Sequence, residues 1–426
     1  MRFPTLSKKW INLLRFGYKA GLFVWLCNAF ALIFQWLQEG KLFALQIDGR
    51  PYVTDFLNSY SAGRLALDAQ RAAVNIYDAQ AQDLIMRSLM YPLVPEVPFF
   101  NQTPPHCFVL AMIFPLMSVP VAWGAYCLTA SALLFAFLYV LVKDELKSPK
   151  DFFVVALGVA SCFPYWISIR LGNYSILIAS FVVLFFHLLR INRRFAAGIS
   201  TAAISMKFQY LPFLGLAGLA AGRLPFLTGS IVGHMIVVVL CGLILGWDNV
   251  LSYPHVLLHQ EYSQNISGVE PQHQQNLRAL ILRLTGSDAS TFCIITTFVA
   301  AALIFAVWLR AWKNISEPNR FKLLVSLTVI CMLFFSPHTH RQDYLVLCVP
   351  GAWIWTACLR SETLSKRWPK KFVAALPPLS WLLYFIDGLL PLPGLCLPLP
   401  FLAAAAWITF AGDGPAENNP QSANAV

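Results

Sequence analysis

The sequence predicts an all-α polytopic membrane protein with about twelve transmembrane helices, and three observations carry that expectation. Of the 426 residues, 58% are hydrophobic and only 12% charged, with a mean hydropathy of +0.62; an ordinary soluble domain is about 25% charged. Apolar runs close to the roughly twenty residues a spanning helix needs recur along the whole chain. The basic residues, which bring the net charge to +11, lie in short clusters between those runs, as topology signals do. They form no continuous basic face, so nucleic acid is not an expected partner.

The runs fall at 17–38, 122–142, 151–169, 173–190, 226–246, 291–311, 321–336, 343–359, 372–386 and 395–411. The first follows a basic N-terminus. It is too long for a signal-peptide core and no small-residue cleavage pattern follows it, so it reads as the first span. The block 195–222 holds two short runs split by Lys207 and Pro212, which predicts two half-length helices or a broken hairpin crossing twice. The run 106–119 is interrupted by Pro115 and Pro120 and is expected to be re-entrant or interfacial. With these assignments, basic clusters at the N-terminus, 143–150, 190–194, Arg223, 310–322 and 360–371 all share one side, and both termini are cytoplasmic. Residues 1–411 form one transmembrane domain, and 412–426 are a disordered cytoplasmic tail. The ten cysteines contain no C-x-x-C pair and read as small apolar filler.

Two long loops face outward, 39–105 and 247–290. The first contains "TDFLNSYSAGRLALDAQRAA", a helix beginning near Asp55 and carrying Arg64. Asp55 either caps that helix or serves as a general base at the outer face; the two are compatible. Lys207 either snorkels to headgroups or, as an ionisable residue at membrane depth, faces a polar cavity beside broken-helix ends. "FFSPHTHRQDYLVL" places His338, His340, Arg341 and Asp343 between two runs. His-x-His is a metal pattern, but no acidic cluster accompanies it. A rim of donors for phosphate suits Arg and His better, and an ordinary polar loop is the plain alternative. "IRLGNYS" adds Arg170 and Asn173 on the same side, with Gly172 expected to end a helix.

Several segments together resemble one family: "DFLNSYSAGRLAL" after the first run, "TPPHCFVLAMIFPLMSVPVAWGAY", "LGNYSILIASFVVL", "RRFAAGISTAAISMKFQYLPFLGLAGLAAGR" and "SPHTHRQDYLVL". In order and spacing they are similar to the integral-membrane glycosyltransferases of family 87, over roughly residues 17–360. The resemblance implies the GT-C fold and a polyprenyl-phosphate sugar donor, with mannose the expected sugar. It implies a glycolipid or glycan acceptor and an active site on the periplasmic or extracellular face, here of a bacterial inner membrane. It also implies an acidic base in the first outer loop, which Asp55 matches. Lys207 and His338 match positions serving the donor phosphate or the acceptor. Two departures stand out: Phe208 follows Lys207 where proline is expected, and "QQNLRAL" replaces an "NQSL"-like signal, leaving Asn276 as a site residue or a helix cap. No cofactor is expected. A secondary transporter or lipid flippase, or a non-catalytic scaffold for envelope polysaccharide, are the competing readings.

Overall fold

The structure is a computed structural model; it describes residues 26, 54–72, 75–90, 102–111, 116–262, 273–311, 317–360, 368–390 and 392–411. The run 17–38, apart from Leu26, and the tail 412–426 lie outside them. Among the described residues every regular element is helical. Helices α1 (Thr54–Ala72) and α2 (Ala79–Met90) belong to the first predicted outer loop, and α3 (Pro104–Ala111) starts at its end and enters the run 106–119. They are followed by α4 (Val119–Val142), α5 (Pro149–Ala160), α6 (Phe163–Leu171), α7 (Ser175–Arg190), α8 (Arg194–Ile204), α9 (Leu211–Leu245) and α10 (Trp247–Tyr262). Then come α11 (Leu277–Thr285), α12 (Ser290–Ala311), α13 (Pro318–Phe335), α14 (Cys348–Arg360), α15 (Trp368–Ile386) and α16 (Pro398–Phe410).

Helix α4 shows why these segments span. Ala122, Tyr126, Ala130, Leu134 and Leu138 recur every four residues and are buried, giving one ridge against the bundle. Val121 and Leu128 on other faces are exposed. On α9 and α12, Ile231, Met235, Ile236, Leu243, Phe292, Ile295, Phe298 and Leu303 are exposed too. A soluble protein rarely leaves so large an apolar surface open; lipid tails cover it here.

Among the described residues four helical stretches are long and apolar enough to cross a membrane, or five if one bent pair counts as a span. The expected count of twelve includes the run 17–38, which lies outside them; several of the other runs are divided or shortened for local reasons. The run 151–169 breaks into α5 and α6, bent by 64°, where Pro164 enters the first turn of α6 and cannot continue the hydrogen-bond ladder of α5. The run 173–190 yields a 16-residue helix, about 24 Å long. Six of the eight residues of α3, a helix about 12 Å long, come from the run 106–119.

The block 195–222 forms the broken hairpin. Lys207 leaves helical geometry (φ −126°, ψ 71°), and α9 reverses at Arg223 (φ 46°, ψ −133°). The arms, α8 and residues 211–222, are each about 17 Å long, roughly half of a ~30 Å hydrocarbon core. The expectation of two full crossings is corrected accordingly. Residues 224–245 then run alongside α8: an added Cβ on Gly229 would collide with the Phe195 carbonyl, and one on Gly233 would press on the Ile199 backbone. The two helices meet backbone to backbone, the close approach that small residues four apart allow within membranes.

One end of the bundle collects the basic clusters. Lys322 Nζ reaches Glu145 Oε2 at 2.6 Å, Arg190 spans Glu145 and Asp144 at 3.4 and 3.1 Å, and Arg360 Nε donates to the Glu145 carbonyl at 2.8 Å. Four of the predicted same-side clusters, at 143–150, 190–194, 310–322 and 360–371, are thus joined around one buried carboxylate.

Candidate active site

At the other end of the same helices a second polar cluster forms, and Gly172 begins it. This residue closes α6 in the left-handed conformation (φ 63°, ψ 35°), as expected of a glycine at that position. It also touches Phe56 of α1, where a Cβ would have no room, and Trp123 of α4, 3.0 Å from the position of that Cβ. The tight turn delivers Asn173 beneath the first turn of α1. Asn173 Nδ2 donates to Asp55 Oδ2 at 2.6 Å. Its Oδ1 accepts from the Ser175 backbone N–H at 2.8 Å and from Ser175 Oγ at 2.6 Å.

Ser175 continues the chain of contacts, bonding through Oγ to Asp343 Oδ1 at 2.7 Å. Asp343 Oδ2 takes the ammonium of Lys207 and the backbone N–H of His340 at 2.7 Å. Lys207 lies over the faces of Tyr210 and Tyr174, 5.4 and 5.9 Å from the ring centroids. A lone ammonium buried at the tip of a hairpin would be costly; a carboxylate and two aromatic faces replace its water. The non-helical backbone at Lys207 is what turns that side chain into the cluster. Tyr174 in turn donates to Gln102 Oε1 at 2.8 Å and packs against His106, the rings tilted by 48° with centroids 4.2 Å apart. His106 Nε2 lies 3.4 Å from Ser59 Oγ, one turn beyond Asp55.

Electrostatics at Asp55 are opposed. Burial pushes its carboxyl up from the ordinary carboxylate range; the Asn173 hydrogen bond and the Lys207 charge pull it down, and Asp343 adds a smaller upward push. The Lys207 ammonium pairs with Asp343, and its charge reaches Asp55 as well. Burial drives the His340 imidazole down to about 4, against the pull of Asp343 and with help from Lys207, His338 and Arg341. Burial thus holds this imidazole toward its neutral form, in which one ring nitrogen donates and the other accepts.

A neighbouring cluster surrounds Asp387, just past α15. Arg283 and Arg341 both contact it, at 3.1 and 3.0 Å, and Gln275 Nε2 and the Gly394 N–H donate to it at 3.1 and 2.7 Å. Arg341 also covers Tyr384 at 5.1 Å. His338 Nδ1 is 3.2 Å from Gln274 Nε2, and its carbonyl accepts from Gln209 of the hairpin tip at 3.0 Å.

Of the residues singled out in the sequence, Asp55, Asn173, Lys207 and His340 meet in one network, with His338 and Arg341 on the adjoining segment. Arg170 ends α6 over Trp166, 5.4 Å from the ring centroid. Arg64 lies on the exposed face of α1, nine residues and about 14 Å beyond Asp55, outside the network. Asn276 is the N-cap of α11: its Oδ1 accepts from the Ala279 N–H at 3.0 Å, and its Nδ2 donates to Ser336 O and Gln274 Oε1 at 2.8 and 3.1 Å. The cap alternative describes it. Asp343, Ser175 and Asp387 were not assigned as site residues from sequence. The first two were visible within "SPHTHRQDYLVL" and "LGNYS"; Asp387 stands alone between apolar runs and gave no signal beyond being an acid there.

No curated protein and no solved structure matches the chain. The family model of glycosyltransferase family 87 matches residues 102–337, more than half of it, and covers the α6–α7 turn, the Lys207 hairpin and the "QQN" segment while stopping short of Asp55 and Asp343. The chain therefore belongs to glycosyltransferase family 87 and is an integral-membrane glycosyltransferase.

Proposed function

We propose that the protein transfers a sugar, with mannose the leading expectation, from a polyprenyl-phosphate donor to a glycolipid or glycan acceptor at the extracytoplasmic face of the membrane, with inversion. The observation that carries this reading is the 2.6 Å contact from Asn173 to Asp55, through which Asp55 joins the buried Lys207 system. Support for the sidedness comes from the basic clusters, which gather at the opposite end of the bundle, the end that the positive-inside rule assigns to the cytoplasm.

In this mechanism Asp55 accepts the proton of the attacking acceptor hydroxyl, an effect typically worth about 10²–10⁴-fold. The leaving group is a lipid phosphomonoester, already a stable anion, so no second carboxyl is needed as acid; glycoside hydrolysis differs there because its leaving group is an alcohol. The Asn173 hydrogen bond, with the Lys207 charge adding to it, favours the Asp55 carboxylate against its burial. Arg341, Arg170 and His338 meet the phosphate, and His340 contributes as a neutral hydrogen-bonding group. A single displacement at the anomeric carbon inverts its configuration.

The test is transfer from a purified polyprenyl-phosphate mannose to membrane glycolipid acceptors, followed by mass spectrometry. Asp55→Asn is expected to abolish transfer while leaving the protein folded. Near-normal transfer by that variant would rule out Asp55 as the base.

A further inference from the structure

An apolar slot of about 490 Å³ runs between α5, α14 and α15, and none of Asp55, Asn173, Lys207 and Asp343 is among its lining residues. Its size lies within the range of ordinary ligand cavities. Val154, Val159, Leu376 and Ala352 are among its walls, and Tyr344 and Leu395 close one end. Two glycines on facing helices, Gly158 and Gly351, line it, and a Cβ added to either would meet nothing within 4 Å. The slot is thus open space between these helices.

The opposite end is basic. Lys371, in the first turn of α15, lines the slot, and Lys370 lies over the ring of Trp355, 5.6 Å from its centroid. Trp355 also lines the slot, and its indole Nε1–H is buried with no acceptor among the described residues. This is the end of the bundle that carries the Glu145 cluster, since Arg360 at the close of α14 bonds there. Two ammonium groups and an unsatisfied N–H offer donors and no acceptor. The group they suit is an anionic oxygen acceptor, and the cavity beyond them suits only hydrocarbon.

We propose that the slot is a binding site for an anionic phospholipid of the leaflet at the basic end, with one acyl chain between α5, α14 and α15 and the phosphate on Lys370, Lys371 and the Trp355 N–H. Basic pockets between membrane helices on the cytoplasmic side hold anionic headgroups by the same physics. The site is distinct from the proposed donor site: Tyr344, whose hydroxyl is tied to the Gln275 carbonyl at 2.7 Å, closes the slot on the side of the Asp387 cluster.

The experiment is native mass spectrometry and thermal unfolding of the full chain in detergent, titrated with phosphatidylglycerol, phosphatidylcholine, inorganic phosphate or polyprenyl phosphate. Phosphatidylglycerol is expected to bind one per chain and raise the unfolding temperature, with phosphatidylcholine markedly weaker. Lys370→Ala with Lys371→Ala should weaken phosphatidylglycerol roughly 25-fold, about fivefold per lysine. Trp355→Phe should weaken it further while keeping the ring. Gly158→Leu and Gly351→Leu, which fill the slot and favour helix, should fold yet exclude the lipid. Equal binding of the two phospholipids, retained affinity in the glycine variants, or protection by inorganic phosphate alone would each overturn the proposal. So would displacement of phosphatidylglycerol by polyprenyl phosphate, which would give the slot to the donor. Each readout is binding and none depends on sugar transfer, so failure here leaves the proposed reaction standing, and the converse also holds.

Discussion

Replacing Asn173 by alanine isolates the contact on which the base depends. Asn173 gives Asp55 a 2.6 Å hydrogen bond in a buried setting, and hydrogen bonds to charged groups contribute about 1.5–3 kcal/mol. That energy favours the carboxylate over the acid. Its loss tilts the equilibrium toward the protonated form by about one to two orders of magnitude, at roughly 1.4 kcal/mol per decade. Burial already pushes in that direction. Asp55 must be ionised to accept the acceptor proton, so activity falls as the pH drops through its titration. The acidic limb of kcat/KM in Asn173→Ala should move to higher pH, with most of the wild-type rate recovered on the alkaline plateau. The assay is transfer from a soluble short-chain polyprenyl-phosphate sugar across a pH series, wild type against variant. An unmoved limb, or a loss of equal size at every pH, would refute the assignment of Asn173 as the group that keeps Asp55 ionised.

Gly172→Ala should lower both the unfolding temperature and the activity, because the turn needs φ 63°, about 1–2 kcal/mol for a non-glycine residue, and because the new methyl would displace Phe56 beside Asp55. Glu145→Ala should destabilise the opposite end by about 3–5 kcal/mol, the cost of leaving a buried partner charge alone, since Lys322 and Glu145 are each only 8% exposed; thermal unfolding in detergent reads this directly. Burial alone would raise the Asp387 carboxyl, but Arg283, the Gly394 N–H and Arg341 together hold it below the ordinary carboxylate range. Its stabilising contribution is therefore complete above about pH 4 and lost as pH falls through its folded value. Asp387→Asn should lower the neutral-pH unfolding temperature and remove that acid-side step.

Much of the architecture was legible because it rests on local rules. The helix begins near Asp55 as its sequence suggests, Gly172 ends α6, Lys207 interrupts a hairpin, and the basic clusters meet at one end. Helix length was read less well. Pro164 was visible, yet whether a proline only kinks a span or bends two helices by 64° depends on what packs against it. The candidate site was legible in its residues more than in its connections. Lys207 stood out as a charge among apolar neighbours, but its pairing with Asp343 joins segments distant in the chain and follows from tertiary packing. For the same reason the burial that holds the His340 imidazole toward its neutral form follows from packing and not from its neighbours in sequence. Asn276 fits a cap and a site residue equally until the Ala279 N–H is seen to occupy it.

The hairpin that carries Lys207 has a consequence for biogenesis. Its first arm, α8, is shorter than a bilayer and rests on Gly229 and Gly233, which are synthesised after it. A ribosome that has delivered only the arms has not yet delivered their support, so the two short segments await the third before they can settle. Ordering of the tip is thereby postponed until those glycines have been made, and the meeting of Lys207 and Asp343 waits further, for residue 343 of the 426.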